Sequence, residues 1–363
     1  MNIIHINKKA LLDNFVYLKS LKPQVRLFPV VKSNAYGHGL DQILQVYKKV
    51  EVPYLVVDSF PEYSIIARHS KHNVLLLGET LTKNYKEFDL KRTAFAVYNV
   101  ETLHGLAKLK KKLNIHLFLN TGMNREGIQP SSLMNILETL KKYPQITVEG
   151  VMSHFHSADT PSGGSIQAQI DLFKQMYYTI LEYGHAPKWR HIGASAGLLK
   201  MDDDFFNAYR PGLALYGYNP LSVDDPYFEK GEKLKPALSL SSVIVALNEL
   251  SEGEGVSYGE KRIAPEESIV ATVPVGYFEG LSRSLAGKLF FRRNKELVAQ
   301  VGTICMNLCC CLGNQKMQIG DQVRIIEKEK DSHLGIDHIA REAGTISYEI
   351  LVKLDRGIRR VVE

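Results

Sequence analysis

Lys32 closes a short apolar run, Phe28-Pro29-Val30-Val31, whose composition calls for burial. Lysines are rarely buried without a partner or a task, and a lysine desolvated beside other cations becomes a competent nucleophile. Other β-rich runs end in groups that can also do chemistry. One leads through Asn120, Thr121 and Gly122 to Arg125, another ends in His154, a third in Ser195, and the last carries Arg210 and Gly212. A lysine, two arginines, a histidine and a serine at strand ends would make a cationic mouth suited to an anionic cofactor or substrate. The four cysteines add no obvious chemistry. Cys309, Cys310 and Cys311 are adjacent and poorly placed to bridge one another, so with Cys305 they read as reduced thiols, the triplet as small packed hydrophobes. No ligand spacing suggests a metal site.

The elements that must position these groups follow one alternation over the first two thirds of the chain. Eight apolar, β-rich runs occupy residues 27–32, 54–58, 73–78, 93–99, 115–121, 148–154, 189–195 and 209–216. Segments 40–50, 61–69, 101–113, 131–143 and 166–183 carry helical periodicity, and the third and seventh gaps are less clear. Eight strands alternating with helices predict a closed (β/α)8 barrel, whose catalytic side chains sit at the C-terminal ends of the strands. An open doubly wound sheet is the alternative; the absence of a glycine-rich fingerprint after the first strand counts against it. Near residues 231–236 the pattern changes to successive strands separated by glycine and proline, with a helix over 336–343 and a closing strand over 346–354. The expectation is an N-terminal barrel over residues 1–232 and a mostly β domain over 233–363.

With 363 residues, 45% hydrophobic and 23% charged, the chain has the composition of an ordinary globular protein. The net charge is +6. The basic run 108–112 lies in a segment with leucines at helical spacing, so a solvated helix face is expected rather than a nucleic-acid patch. No run of 18 apolar residues exists and residues 1–9 lack a signal-length apolar stretch, so a cytoplasmic protein without a membrane partner is expected.

After Lys32 the chain reads Ser33-Asn34-Ala35-Tyr36-Gly37-His38-Gly39. This stretch closely resembles the pyridoxal-phosphate lysine motif of alanine racemases: lysine, a small residue, then Asn-Ala-Tyr-Gly-His-Gly. Further segments resemble the family's signatures in order: Ala10-Leu11 with Asn14; Thr121 to Gly127, around Arg125; Ser153-His154-Phe155 with Ala158-Asp159; Tyr209 to Gly212 with Leu215-Tyr216-Gly217; Val256 to Gly259; Val301-Gly302 with Cys305-Met306; and Tyr348-Glu349. The resemblance spans essentially the whole chain. It implies the same two-domain fold and a pyridoxal 5′-phosphate cofactor held by Lys32 as a Schiff base. Tyr36, Ser195, Gly212, Leu213 and Tyr348 would match the phosphate-binding positions, and the barrel rule also places a phosphate site after the seventh and eighth strands. His154 would pack on the pyridine ring. Arg210 would face the ring nitrogen and, never giving up its proton, leave that nitrogen unprotonated.

Racemisation needs a base on each face of Cα. By resemblance Lys32 serves one face and Tyr258 of a partner subunit the other, which makes a head-to-tail homodimer necessary. Arg125 would orient the cofactor and the substrate carboxylate, the backbone at Met306 of the partner subunit would bind that carboxylate, and Tyr277 and Arg283 would line the entrance. The implied reaction interconverts L- and D-alanine, supplying D-alanine for cell-wall peptidoglycan. Departures concentrate around the substrate. Phe118 stands where many members carry a carboxylated lysine, so another group, a bound anion or Asn120, would have to hold Arg125. Asn307 replaces an aspartate, Ala194 an asparagine and Glu279 an aspartate, and His156 is unusual near the mouth. A racemase for serine or a larger amino acid therefore stays open, as do a fold-related decarboxylase and a non-catalytic cofactor-binding protein.

Overall fold

The computed structural model describes residues 1–161, 166–260 and 267–363. The chain divides into two compact units, one formed by residues 12–35 and 43–234, the other by residues 1–11, 36–42 and 235–363.

The first unit is a (β/α)8 barrel. Its strands are β2 (Arg26–Leu27), β3 (Leu55–Val57), β4 (Val74–Leu76), β5 (Thr93–Val97), β6 (Leu113–Phe118), β7 (Ile146–Met152), β8 (Trp189–His191) and β9 (Ala208–Tyr209). Strands β3 to β8 pair in sequence, all parallel, and β2 pairs in parallel with β9. Backbone bonds close the ring. Val56 N–H donates to Pro29 and Val31 N–H to Val56 between β2 and β3, while Asn207 N–H to Arg190 and Arg210 N–H to Gly193 join β8 to β9. Strands buried on both faces should be continuously apolar, and β3, β4 and β5 are buried at every position. Helix Leu133–Leu140 shows the complementary rule: Leu133, Ile136, Leu137 and Leu140 form one buried stripe. Phe28, Tyr54 and Trp189 meet edge-on around the buried imidazoles of His116 and His191. Gly150 makes room there, because a Cβ on it would lie 2.5 Å from His116 Nδ1.

The second unit is built on a nine-stranded sheet containing β1 (Ile3–Ile6), β10 (Leu238–Val243), β11 (Ala246–Leu250), β12 (Ser268–Val273), β13 (Phe290–Arg293), β14 (Glu296–Val301), β15 (Cys309–Gly313), β16 (Gln322–Ile326) and β17 (Arg359–Val362). Strand β1 lies between β10, antiparallel, and β17, parallel. Cys309 and Cys311 are buried on β15, where burial first, then neighbouring thiols, raises both thiol pKa values.

Two expected strands differ. The segment 346–354 is not a strand: Ser347–Lys353 is helical, because Ile350, Leu351 and Leu354 fall on one buried helical face while Ile346 and Val352 are exposed. The alternative outcome of a period-2 reading, driven by β-branched residues, loses to that packing. The run 209–216 leaves the barrel after Tyr209 and closes as the 3-10 turn Leu213–Tyr216.

Candidate active site

Lys32 follows the end of the first barrel strand, and the chain turns there in an unusual way. Ser33, Asn34, Ala35 and Tyr36 all adopt left-handed backbone angles, with φ from 52° to 55°. Each non-glycine residue there costs about 1–2 kcal/mol, and such residues normally occur singly. The turn is held by Glu62, a buried carboxylate in the first turn of helix Phe60–His69, which accepts from Ser33 N–H at 2.5 Å and Asp58 N–H at 3.1 Å. Asp58 Oδ1 then lies 3.4 Å from Lys32 Nζ. Strain in the turn directly after a residue bearing a primary amine is what a functional turn looks like.

Arg210 is buried at the centre of the same unit and donates to the carbonyls of Ser153 at 2.6 Å, His191 at 3.0 Å and Ile192 at 3.3 Å. Its Nη1 also meets His191 Nδ1 at 2.6 Å, and His191 Nε2 meets His116 Nδ1 at 2.7 Å. A guanidinium only donates, which fixes the tautomers: His191 accepts at Nδ1 and donates from Nε2, and His116 accepts at Nδ1. His116 Nε2 ends the chain, with no hydrogen-bond partner among the described residues. Burial pushes Arg210 down to about 9, still charged at neutral pH, while burial and then the Arg210 charge hold His191 and His116 far below the histidine range.

His154 borders this centre, its Nδ1 3.4 Å from Arg210 Nη2. It is pushed down to about 3, first by burial, then by Arg210, Arg125 and Lys32 in that order. Three cations thus act on one neutral imidazole. Ser195, also buried, accepts at Oγ from the N–H groups of Gly212 at 2.9 Å and Ala214 at 3.2 Å, so two amides opening the 3-10 turn converge on one point. Leu213 lies between them, buried. Around His154, Gln169 donates to its carbonyl at 3.1 Å and to Thr121, which pairs with Ser153. His156 donates its N–H to Gln169 and contacts Ser157.

Arg125 is not held by Asn120. That side chain is spent on its own loop, accepting from Gly122 and Asn124 N–H and donating to Asn124 Oδ1. Arg125 instead makes a two-point contact with Glu126, Nε to Oε2 at 2.5 Å and Nη2 to Oε1 at 2.7 Å. The Glu126 hydrogen bond is the main reason its pKa is raised. Phe118 sits in an apolar cluster with Ala96, Met152, Leu77 and Tyr98.

The remaining sequence-predicted residues belong to the other unit. Tyr258, Tyr277, Arg283 and Met306 line one open pocket of 420 Å³, together with Cys305 and Asn307. Tyr258 is 74% exposed. Its loop is strained at Ser257, φ 66°, and pinned where Ser257 Oγ donates to the Thr303 carbonyl and Thr303 Oγ1 to that of Tyr258. Two departures noted separately in the sequence touch: Asn307 Nδ2 donates to Glu279 Oε1 at 3.0 Å, so asparagine meets glutamate where two acids would repel. Tyr36 and Tyr348 face each other with ring centroids 6.0 Å apart. Gly37 must be glycine: its φ is 78° and a Cβ would lie 1.9 Å from the Leu351 carbonyl.

Asp58, Glu62, Glu126, His116 and His191 went unread in the sequence. Only His191 and His116, polar residues inside apolar runs, carried a local signal. Among the described residues no group of three or more His, Cys, Asp or Glu could hold a metal ion, and no helix is long and apolar enough to cross a membrane.

Comparison with known proteins gives a consistent outcome. Residues 6–220 match the family described as alanine racemase, N-terminal domain, and residues 237–362 the family alanine racemase, C-terminal domain. An alanine racemase of Clostridium acetobutylicum is 31% identical over 96% of this chain and 93% of its own length. One from Staphylococcus epidermidis is 31% identical over 99% of this chain and 94% of its own. Among solved structures, an alanine racemase from Clostridium difficile superposes with a TM-score of 0.91 at 30% identity, covering 100% of this chain and 95% of that one. The enzyme from Streptomyces lavendulae gives 0.92 at 26%, covering 100% and 97%.

Proposed function

The chain belongs to the alanine racemase family, and from that premise we propose that it interconverts L- and D-alanine with pyridoxal 5′-phosphate. The observation that carries the proposal is the barrel mouth: Lys32, Arg125 and Arg210 acting together on a neutral, half-buried His154. The donor set fits the cofactor. Lys32 offers a primary amine to its aldehyde, the Ser195 hydroxyl, whose oxygen accepts from the Gly212 and Ala214 amides, offers its O–H to its phosphate, and His154 offers a flat neutral ring. Tyr36, Leu213 and Tyr348 complete the phosphate set on the family pattern.

When bound, the cofactor supplies an electron-withdrawing ring that makes the Cα–H of an attached amino acid acidic. The protein manages the proton. Lys32 Nζ takes or returns it on one face, with the Asp58 carboxylate 3.4 Å away. The Tyr258 hydroxyl of a partner subunit serves the other face, so the active species is a homodimer; the exposure of Tyr258 supports this. On the family pattern Arg210 would face the cofactor's ring nitrogen, charged at neutral pH, and its three carbonyl contacts and His191 fix its aim. Arg125 and the Met306 backbone of the partner subunit receive the substrate carboxylate, and Tyr277 and Arg283 line the way in.

The test is chiral chromatography of cofactor-loaded protein incubated with a panel of L-amino acids. D-alanine should accumulate fastest, approaching equal amounts of both enantiomers. A faster D-serine or D-lysine signal would move the substrate while keeping the chemistry. No D-product from any amino acid, with cofactor bound on Lys32, would overturn the racemase reading in favour of a decarboxylase or a binding protein.

A further inference from the structure

Arg125 and Glu126 are consecutive residues, yet their side chains meet as a fork on a fork, through Nε and Nη2 of one and both oxygens of the other. Guanidinium and carboxylate are matched for this two-point contact, which fixes direction as well as distance. The contact occupies the Nε–Nη2 edge of the guanidinium. The Nη1–Nη2 edge remains for a second carboxylate, in the same plane.

We infer that Glu126 is a positioning residue that aims Arg125 at the carboxylate of the amino-acid substrate. The inference rests on the racemase reading of the mouth and adds to it. The surroundings favour Glu126 for this task. Asn120 is committed to the loop backbone, Phe118 is packed among apolar side chains, and the Asp58 carboxylate lies beside Lys32. The arginine side chain is 57% exposed, so without a partner it would sample many rotamers. Glu126 also cancels most of the Arg125 charge, which opposes substrate attraction. Screening over about 8 Å at physiological salt limits that loss to the approach of the substrate, whereas at contact the two-point geometry decides, and a misdirected arginine loses it.

The experiment uses cofactor-loaded wild-type, Glu126→Ala and Glu126→Gln proteins, with racemisation kinetics, inhibition by propionate (alanine without its amino group) and melting temperature. Glu126→Ala should raise KM for alanine and the inhibition constant for propionate in parallel, about three- to tenfold, with kcat within about twofold. Cofactor absorbance and melting temperature should stay at the wild-type values. Glu126→Gln keeps the shape and one acceptor and should fall between. KM and propionate inhibition unchanged in both variants would overturn the inference. So would a loss of kcat accompanied by a lower melting temperature, which is what a purely structural role produces. If the wild type itself racemises nothing, the racemase reading fails. Propionate binding to the loaded proteins, followed by the cofactor absorbance, still decides the role of Glu126: equal affinity in wild type and variants overturns it, weaker affinity in the variants supports it.

Discussion

At the residue scale the site is organised by burial. His154 is pushed down to about 3, His116 to about 3 and His191 well below its ordinary value, in each case first by desolvation and then by the Arg210 charge. An unfolded chain titrates these groups near pH 6.5. Below that pH the unfolded state binds protons that the folded state refuses, so stability falls as pH falls from about 6.5 towards 3. Each histidine contributes a slope of about 1.4 kcal/mol per pH unit in that window. Melting temperature followed from pH 7.5 to 5 should therefore be flat above about 7 and drop steeply below 6, and His191→Asn should make the drop shallower. A melting temperature independent of pH across this range would contradict neutral, buried imidazoles. The cationic residues of the mouth were legible because lysine or arginine beside an apolar run is costly and so informative. Glu126, Asp58 and Glu62 were not, because an acidic residue in a loop or first helical turn is ordinary until its partner in space is known.

At the element scale the barrel strands were legible as apolar runs, but the turn after Lys32 was not. Four consecutive non-glycine residues at φ near 53° contradict every local propensity, and only tertiary contacts, among them the Glu62 carboxylate on Ser33 N–H, hold them there. The turn makes a sharp prediction. Ala35 is fully buried, so Ala35→Val adds a β-branched side chain where the backbone tolerates none, and should cost several kcal/mol. Ala35→Gly should be far milder, since glycine adopts left-handed angles without strain. Gly37→Ala, with a Cβ placed 1.9 Å from the Leu351 carbonyl, should be as damaging as Ala35→Val. Chemical denaturation of the three variants checks the order; equal losses for Ala35→Gly and Ala35→Val would remove the turn from the account. The misread segment 346–354 teaches the same lesson in reverse: its valine and isoleucines suggest a strand, yet the partners of Ile350, Leu351 and Leu354 make it a helix.

At the scale of the whole molecule the change from barrel to sheet was visible near residue 235, but the role of the first residues was not. Strand β1 is the partner of β10 and β17, more than 230 and 350 residues away, and no local pattern announces such pairings. What one chain cannot supply we propose comes from a second subunit, whose Tyr258 serves the Lys32 of the first. That is the central claim, and mixing two inactive variants tests it. Lys32→Ala and Tyr258→Phe should each abolish alanine racemisation. In a mixed dimer one site carries both lesions and the other carries neither. Random reassortment makes half of all dimers mixed, so the mixture should regain about a quarter of the wild-type rate. A mixture that stays silent while hybrid dimers are demonstrably formed, or a Tyr258→Phe protein that racemises alanine unaided, would contradict the shared two-base site.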